Sequence, residues 1–207
     1  MAQSDPSVQP EQICLPQPNL KGRIPLEEAI AKRRAQRTFL PKGLTLQEIS
    51  QLLWAAQGVT GRREEDDIDL RAAPSAAAKY PMELYILTSE GVFHYCSQGH
   101  LLDVVKKDDL RASLSDLAGR KQIIRSVPVT FVITAVFARV TERFGERGKM
   151  YVHMEAGHIA QNIHLQAVAL GLASVPMGAF EEKKVKTLLS LPKDQEPLYM
   201  VPVGYAD

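Results

Sequence analysis

Cysteine is scarce. Cys14 and Cys96 are the only two in 207 residues, far apart and in no Cys-x-x-Cys spacing, which excludes a disulfide framework and a conventional structural zinc site. Net charge is nearly absent as well, since 25 Lys and Arg against 24 Asp and Glu leave +1. That balance argues against a broad nucleic-acid surface and leaves any anion site to a few placed residues. No apolar run approaches the roughly 20 residues of a membrane-crossing helix. Missing too are a Gly-x-Ser-x-Gly elbow, a Gly-x-x-x-x-Gly-Lys phosphate loop and a Gly-x-Gly-x-x-Gly fingerprint, which removes nucleoside-triphosphate chemistry and Rossmann-type binding. What is present is ordinary: 45% hydrophobic and 24% charged residues, the composition of one globular domain with a real core.

Residues 1–23 are rich in Pro, Gln and Ser and lack the apolar centre of a signal peptide. They are expected to form a flexible leader before a domain spanning 24–207. The expected compartment is the cytoplasm, although an exported protein whose signal had been removed would begin with a similar leader.

After Pro25, the run LEEAIAKRRAQR reads as a helix with acids first and bases last. Thr45 and Glu48 form a capping box for a second helix, which Gly58 ends. Two helices thus precede any strand in this reading. Gly61–Asp69 is charged and non-periodic, so a loop is expected. Alternation on either side of Ser89-Glu90-Gly91 predicts a hairpin of strands near 82–88 and 91–96. Residues 107–126 read as two helical pieces around Gly119, and the wholly apolar VPVTFVITAVF as a central buried strand near 129–137. The longest helix candidate runs from Lys149 to Leu172, followed by a short strand and loop, a helix over EEKKVKTLLSL and a last strand, EPLYMVPVG. Helices and strands mix without a repeated βαβ rhythm. The fold class is therefore α+β, a mixed or antiparallel central sheet flanked by helices.

Three clusters bear on chemistry. Arg33, Arg34 and Arg37 could fork onto phosphate oxygens, or simply offset a helix dipole and face solvent. Residues 71–81, RAAPSAAAKYP, have the small side chains that admit a flat ligand, yet also suit a plain turn. Glu155-x-x-His158 resembles half of a di-iron site, but no second Glu-x-x-His exists. His153 and His164 lie three turns apart, too far to ligate one ion. No metal is expected there.

Taken in order, RRAQRTF, RAAPSAAAKYPMELY, EAGHIAQNIHLQAVALGLASVPMGAF and EPLYMVPVG resemble the FMN-dependent nitroreductase family over residues 24–204, most closely its SagB-type dehydrogenase subgroup. The resemblance implies a flavoprotein oxidoreductase, with the long helix at the centre of an intertwined homodimer. Carried over by motif, Arg33 and Arg34 would hold the FMN phosphate and ribityl chain, Ala35 would add backbone, and Arg37 would sit near N1 and O2 of the ring. Pro74, Ser75 and Ala76 would line the ring from the other subunit, and Met177, Gly178 and Ala179 would present backbone donors to N5 and O4. Two departures stand out. Ala35 replaces a frequent Ser or Thr, and Tyr205 follows Gly204 where a basic residue is usual, leaving Lys184 or Lys193 as substitutes.

The activity implied is ping-pong hydride transfer from NAD(P)H through FMN to a nitroaromatic or quinone acceptor. A second reading, from the subgroup, is oxidation of peptide thiazolines or oxazolines to azoles. Its Lys-Tyr base pair would fall on Lys149 and Tyr151, with the contiguous Lys79-Tyr80 as the other candidate. A third is a flavin-binding dimer without turnover. Segments 61–69 and 139–148 are expected to cover the substrate pocket. The expected partners are a second copy of the chain and a small molecule, with no nucleic acid and no membrane.

Overall fold

The computed structural model describes residues 11–119 and 121–207. The first ten residues of the expected leader lie outside that range. Within the rest of it, Gln12–Cys14 forms β1, an edge strand paired with a later strand. A strand therefore precedes the first helix, contrary to the order read from the sequence.

α1 (Leu26–Lys32) and α2 (Leu46–Gln57) follow, α2 opened by the Thr45–Glu48 capping box. Val59–Arg63 (β2) and Ile68–Arg71 (β3) then pair antiparallel. The segment read as a loop is thus largely a hairpin. It is held by charge, with Arg62 paired to Asp67 and Arg63 to Asp66 at 2.6 Å, and no apolar alternation announced it.

Next come β4 (Met82–Thr88), β5 (Gly91–Cys96) and β6 (Leu101–Lys106), then α3 (Arg111–Leu117), α4 (Lys121–Ser126) and β7 (Val129–Val136). α5 (Ala138–Phe144), α6 (Arg147–Ala169), β8 (Ala173–Ser174), α7 (Glu182–Leu188) and β9 (Gln195–Gly204) complete the chain. The main sheet has the order β1-β6-β5-β4-β7-β9-β8, and all its strand pairs are antiparallel.

Every residue of β7 is buried, as a strand covered on both faces requires. Side chains alternate across the sheet. Leu84, Ile86, Phe131 and Ile133 face a core shared with α2 and α6, whereas Tyr85, Leu87, Val132 and Met200 face one that includes Leu114, Ile124 and Val185 of α3, α4 and α7. Burying such side chains stabilises by about 1.5–3 kcal/mol each. The result is a three-layer arrangement with α6 along one side. Among the described residues, no helix is long and apolar enough to cross a membrane.

Candidate functional site

α1 ends at Lys32, earlier than the sequence suggested, because Arg33 leaves helical geometry at φ −55°, ψ 121°. The arginines therefore sit on an extended segment beyond the helix. Ala35 bridges Ser174, and the Gln36 N–H donates to the Ser174 carbonyl at 3.0 Å. This bridge lays the arginine segment beside the chain that leaves α6. Among the described residues, the guanidinium groups of Arg33 and Arg37 have no hydrogen-bond or ion-pair partner, while Arg34 donates from Nη1 only to the carbonyls of Ala31 at 3.0 Å and Arg33 at 2.7 Å. Three cations with no internal carboxylate suit an external anion.

α6 stops at Gly171, whose φ of +73° only glycine adopts without cost. Its N–H donates to Val168 and that of Leu172 to Ala167, the double bond of a Schellman cap. The cap turns the chain into β8 and on to Met177, which exchanges both backbone bonds with Met200 at 2.8 and 2.9 Å. Beyond this clamp Gly178 and Ala179 are exposed, and among the described residues their N–H groups have no acceptor. The Ala179 carbonyl is fixed by the Gly119 N–H at 2.8 Å. Two free donors on anchored backbone make a site for a flat acceptor edge.

Below the arginines lies His164, buried on α6, with Nδ1 2.8 Å from Ser174 Oγ. Burial, aided by the charge of Arg33, pushes its pKa down to about 4. Its Nε2 is buried without a partner among the described residues, a placement that follows from packing and that no motif marks.

Pro74, Ser75 and Ala76 lie elsewhere. Ser75 sits beside Glu155, and nine residues of α6 separate Glu155 from His164, about 13.5 Å of helix rise. One chain thus brings Arg33–Arg37 together with Met177–Ala179, and holds Pro74–Ala76 near the other end of the helix. The small-residue segment is tightly bent: Ala77, Ala78 and Tyr80 have φ of 51°, 51° and 44°, a region costly for non-glycine residues. Holding the bend are the Tyr80 N–H, which donates to Ser75 Oγ at 2.8 Å, and Arg139, which donates to the Tyr80 carbonyl at 3.0 Å.

Glu155 is the other polar residue the helix buries, packed beside Ser75 and Gln57. Burial pushes its pKa from the ordinary 4.5 up to about 7. Between those values the folded carboxyl keeps a proton that the unfolded chain releases. The contribution of Glu155 to stability is then greatest below pH 4.5 and falls as pH rises through 7, by on the order of 3 kcal/mol. Glu155→Gln, which keeps the shape but never ionises, is expected to raise the melting temperature at pH 8 and to leave it little changed at pH 5. Thermal denaturation of both proteins across that range checks this, and equal slopes would contradict it.

The Lys149 and Tyr151 pair does not assemble. Two residues along a helix project about 200° apart; Lys149 is paired with Glu146 at 2.7 Å, and the Tyr151 hydroxyl accepts from Arg147 at 2.9 Å. Tyr80 is buried, its hydroxyl taken by the Arg71 N–H. Tyr205, where a basic residue was expected, donates to Glu48 at 2.6 Å beneath Lys42. Of the two substitutes, Lys184 pairs with Glu181 at 2.7 Å.

Comparison with known proteins agrees with this architecture. The model of the nitroreductase family matches residues 30–205. A protein of Methanocaldococcus jannaschii that carries the name nitroreductase is 36% identical over 187 residues, 87% of this chain and 91% of its own length. A crystal structure from Ralstonia eutropha, also named for nitroreductase activity, superposes with a TM-score of 0.82 at 28% identity, covering 95% of this chain and 90% of that one. The NADPH:FMN oxidoreductase of Vibrio harveyi, solved with NAD+, shares the fold at a TM-score of 0.65 and 19% identity, over 88% of this chain and 69% of its own. On the family match over residues 30–205 and the 36% identity across most of both chains, the chain belongs to the nitroreductase family.

Proposed function

We propose that this protein is an FMN-dependent oxidoreductase that accepts hydride from NAD(P)H and passes it to a small oxidised acceptor of the nitroaromatic or quinone type. The observation that carries this reading is the donor set around Ser174: three guanidiniums with no carboxylate partner among the described residues and, a few residues on, two anchored N–H groups with no acceptor among them. That set fits a cofactor with a phosphate at one end and a flat, acceptor-bearing edge at the other. Bound FMN would supply the hydride-accepting and hydride-donating centre.

The chain's own residues have simpler tasks. Arg33 and Arg34 bind the phosphate end, with Ala35 adding backbone, and Arg37 places positive charge where a reduced flavin becomes anionic. Gly178 and Ala179 donate to the ring edge, which Met177 supports through its two bonds to Met200. Pro74, Ser75 and Ala76 line a ring held by the other copy of the chain, which accounts for their separation from the arginines within one chain. No side chain is assigned to proton transfer. The divergence of Lys149 and Tyr151 weighs against azoline oxidation.

A homodimer is part of this reading. Leu26 and Ile30 on α1 are 61% and 55% exposed, and Met150 and Met154 on α6 are exposed too, large apolar side chains that a second copy would cover. Steady-state kinetics test the function. With NADH or NADPH and a quinone varied together, the double-reciprocal lines are expected to be parallel, because both substrates use one site in turn. Intersecting lines, or no turnover with either nicotinamide, would count against it.

A further inference from the structure

The antiparallel register of β5 and β6 sets His94 directly opposite Asp103, and Cys96, two residues along β5, faces the same side of the sheet. Three side chains of different chemistry therefore meet. Cys96 Sγ lies 2.9 Å from Asp103 Oδ2 and 3.8 Å from His94 Nδ1, and one ligand atom from each residue falls within 4.8 Å of the others. The shell behind them is also ordered. His94 Nε2 is 2.8 Å from Glu83 Oε2, whose other oxygen is held by Arg139 at 2.6 Å. Asp103 Oδ1 accepts from Gln12 Nε2 at 2.9 Å, which leaves Oδ2 turned to the thiol. A cleft of about 210 Å³, lined by Glu83, His94 and Cys96 among others, opens beside the cluster.

We propose that His94, Cys96 and Asp103 form a binding site for a divalent cation of the zinc type, with water in the fourth position. Zinc takes sulfur at about 2.3 Å and nitrogen or oxygen at about 2.0–2.2 Å, so ligand atoms around one tetrahedral ion sit roughly 3.3–3.7 Å apart. The two separations from the sulfur, 2.9 and 3.8 Å, bracket that range, the third pair of ligand atoms lies within 4.8 Å, and side-chain rotations close the difference. A carboxylate behind a histidine is the usual outer partner of a metal site. It keeps the proton on one ring nitrogen and leaves the other free to ligate, and Glu83 is placed to do this for His94. On binding, the S–H bond of Cys96 breaks, its proton passes to solvent, and the thiolate sulfur bonds the ion with no change of oxidation state. The site does not depend on the flavin reading, since none of its ligands belongs to the arginine or Met177–Ala179 segments.

Cobalt(II) is the probe, added to the purified full-length protein and followed by difference absorption. The expected result is a near-ultraviolet thiolate-to-cobalt band together with the visible bands of tetrahedral coordination, rising to one equivalent and erased by stoichiometric zinc(II). Cys96→Ser should abolish the thiolate band, and Cys14→Ser should keep it. Asp103→Asn and Glu83→Gln should weaken binding at least tenfold, with circular dichroism showing each variant folded. Were the thiolate band absent in the wild type, or present in Cys96→Ser and lost in Cys14→Ser, the site would be refuted. Cobalt held without any thiolate band would refute it equally. In that case the cluster is only a thiol–carboxylate hydrogen bond.

Discussion

Replacing Arg33 and Arg37 together with Ala is expected to weaken FMN binding by about 10²- to 10⁴-fold while leaving the fold intact. A hydrogen bond to a charged group contributes about 1.5–3 kcal/mol, and each 1.4 kcal/mol is a factor of ten in affinity. The loss should fall on binding and not on folding, because neither guanidinium has a partner among the described residues and Arg37 is exposed. Relief of His164 from the charge of Arg33 can only help stability. Fluorescence titration of apo-protein with FMN, alongside thermal denaturation, separates the two effects. Unchanged FMN affinity would remove these arginines from the site, and a collapse in melting temperature would make them structural instead.

Gly157→Leu is expected to convert the proposed dimer to monomer and to abolish its FMN binding. Gly157 lies inside α6, where glycine costs about 1 kcal/mol relative to Ala, yet a Cβ built there meets nothing within 4 Å. The chain alone has no use for the missing side chain. A second helix crossing closely at this point, as the proposed dimer requires, would. Met150, Met154, Gly157 and Gln161 are all exposed and recur at intervals of four, three and four, the spacing of a helix seam. Leu at 157 improves helix propensity and clashes only with a partner. Light scattering should therefore report half the mass for a chain that remains helical, and Gly157→Ala should show an intermediate loss. A flavin-loaded Gly157→Leu dimer would place the interface elsewhere.

Much of this architecture is legible in the sequence because burial writes a simple pattern. The β4–β5 hairpin follows from alternation around a Gly-containing turn, β7 from an unbroken apolar run, and the end of α6 from Gly171, whose backbone angle only glycine takes freely. The second helix was marked by its capping box. Elements held by charge or by distant partners left no such trace. β2 and β3 pair through Arg62, Arg63 and three aspartates, a composition that reads as a loop, and β1 forms only because β6 offers an edge some ninety positions away. α1 ends five residues early because Ala35 bridges Ser174, a tertiary contact that helix propensity does not encode.

The candidate site divides in the same way. The arginines and the Met177–Ala179 loop were named from motif, and their adjacency came from the Ala35–Ser174 bridge. Burial of Glu155 and His164 depends on which face of α6 meets the sheet. Their opposite pKa displacements, to about 7 and about 4, are consequences of packing. The grouping of His94, Cys96 and Asp103 depends on strand register, since nothing in the spacing His-x-Cys with an Asp seven residues on resembles a metal motif.

The most direct test is the visible spectrum of the purified protein under anaerobic conditions, before and after one equivalent of NADH or NADPH, with the heat-released chromophore identified by chromatography. FMN near one per chain, bleached by at least one of the two nicotinamides and restored by a quinone, is the expected result. A protein that stays colourless after incubation with FMN, or whose bound FMN ignores both nicotinamides, would contradict the assignment.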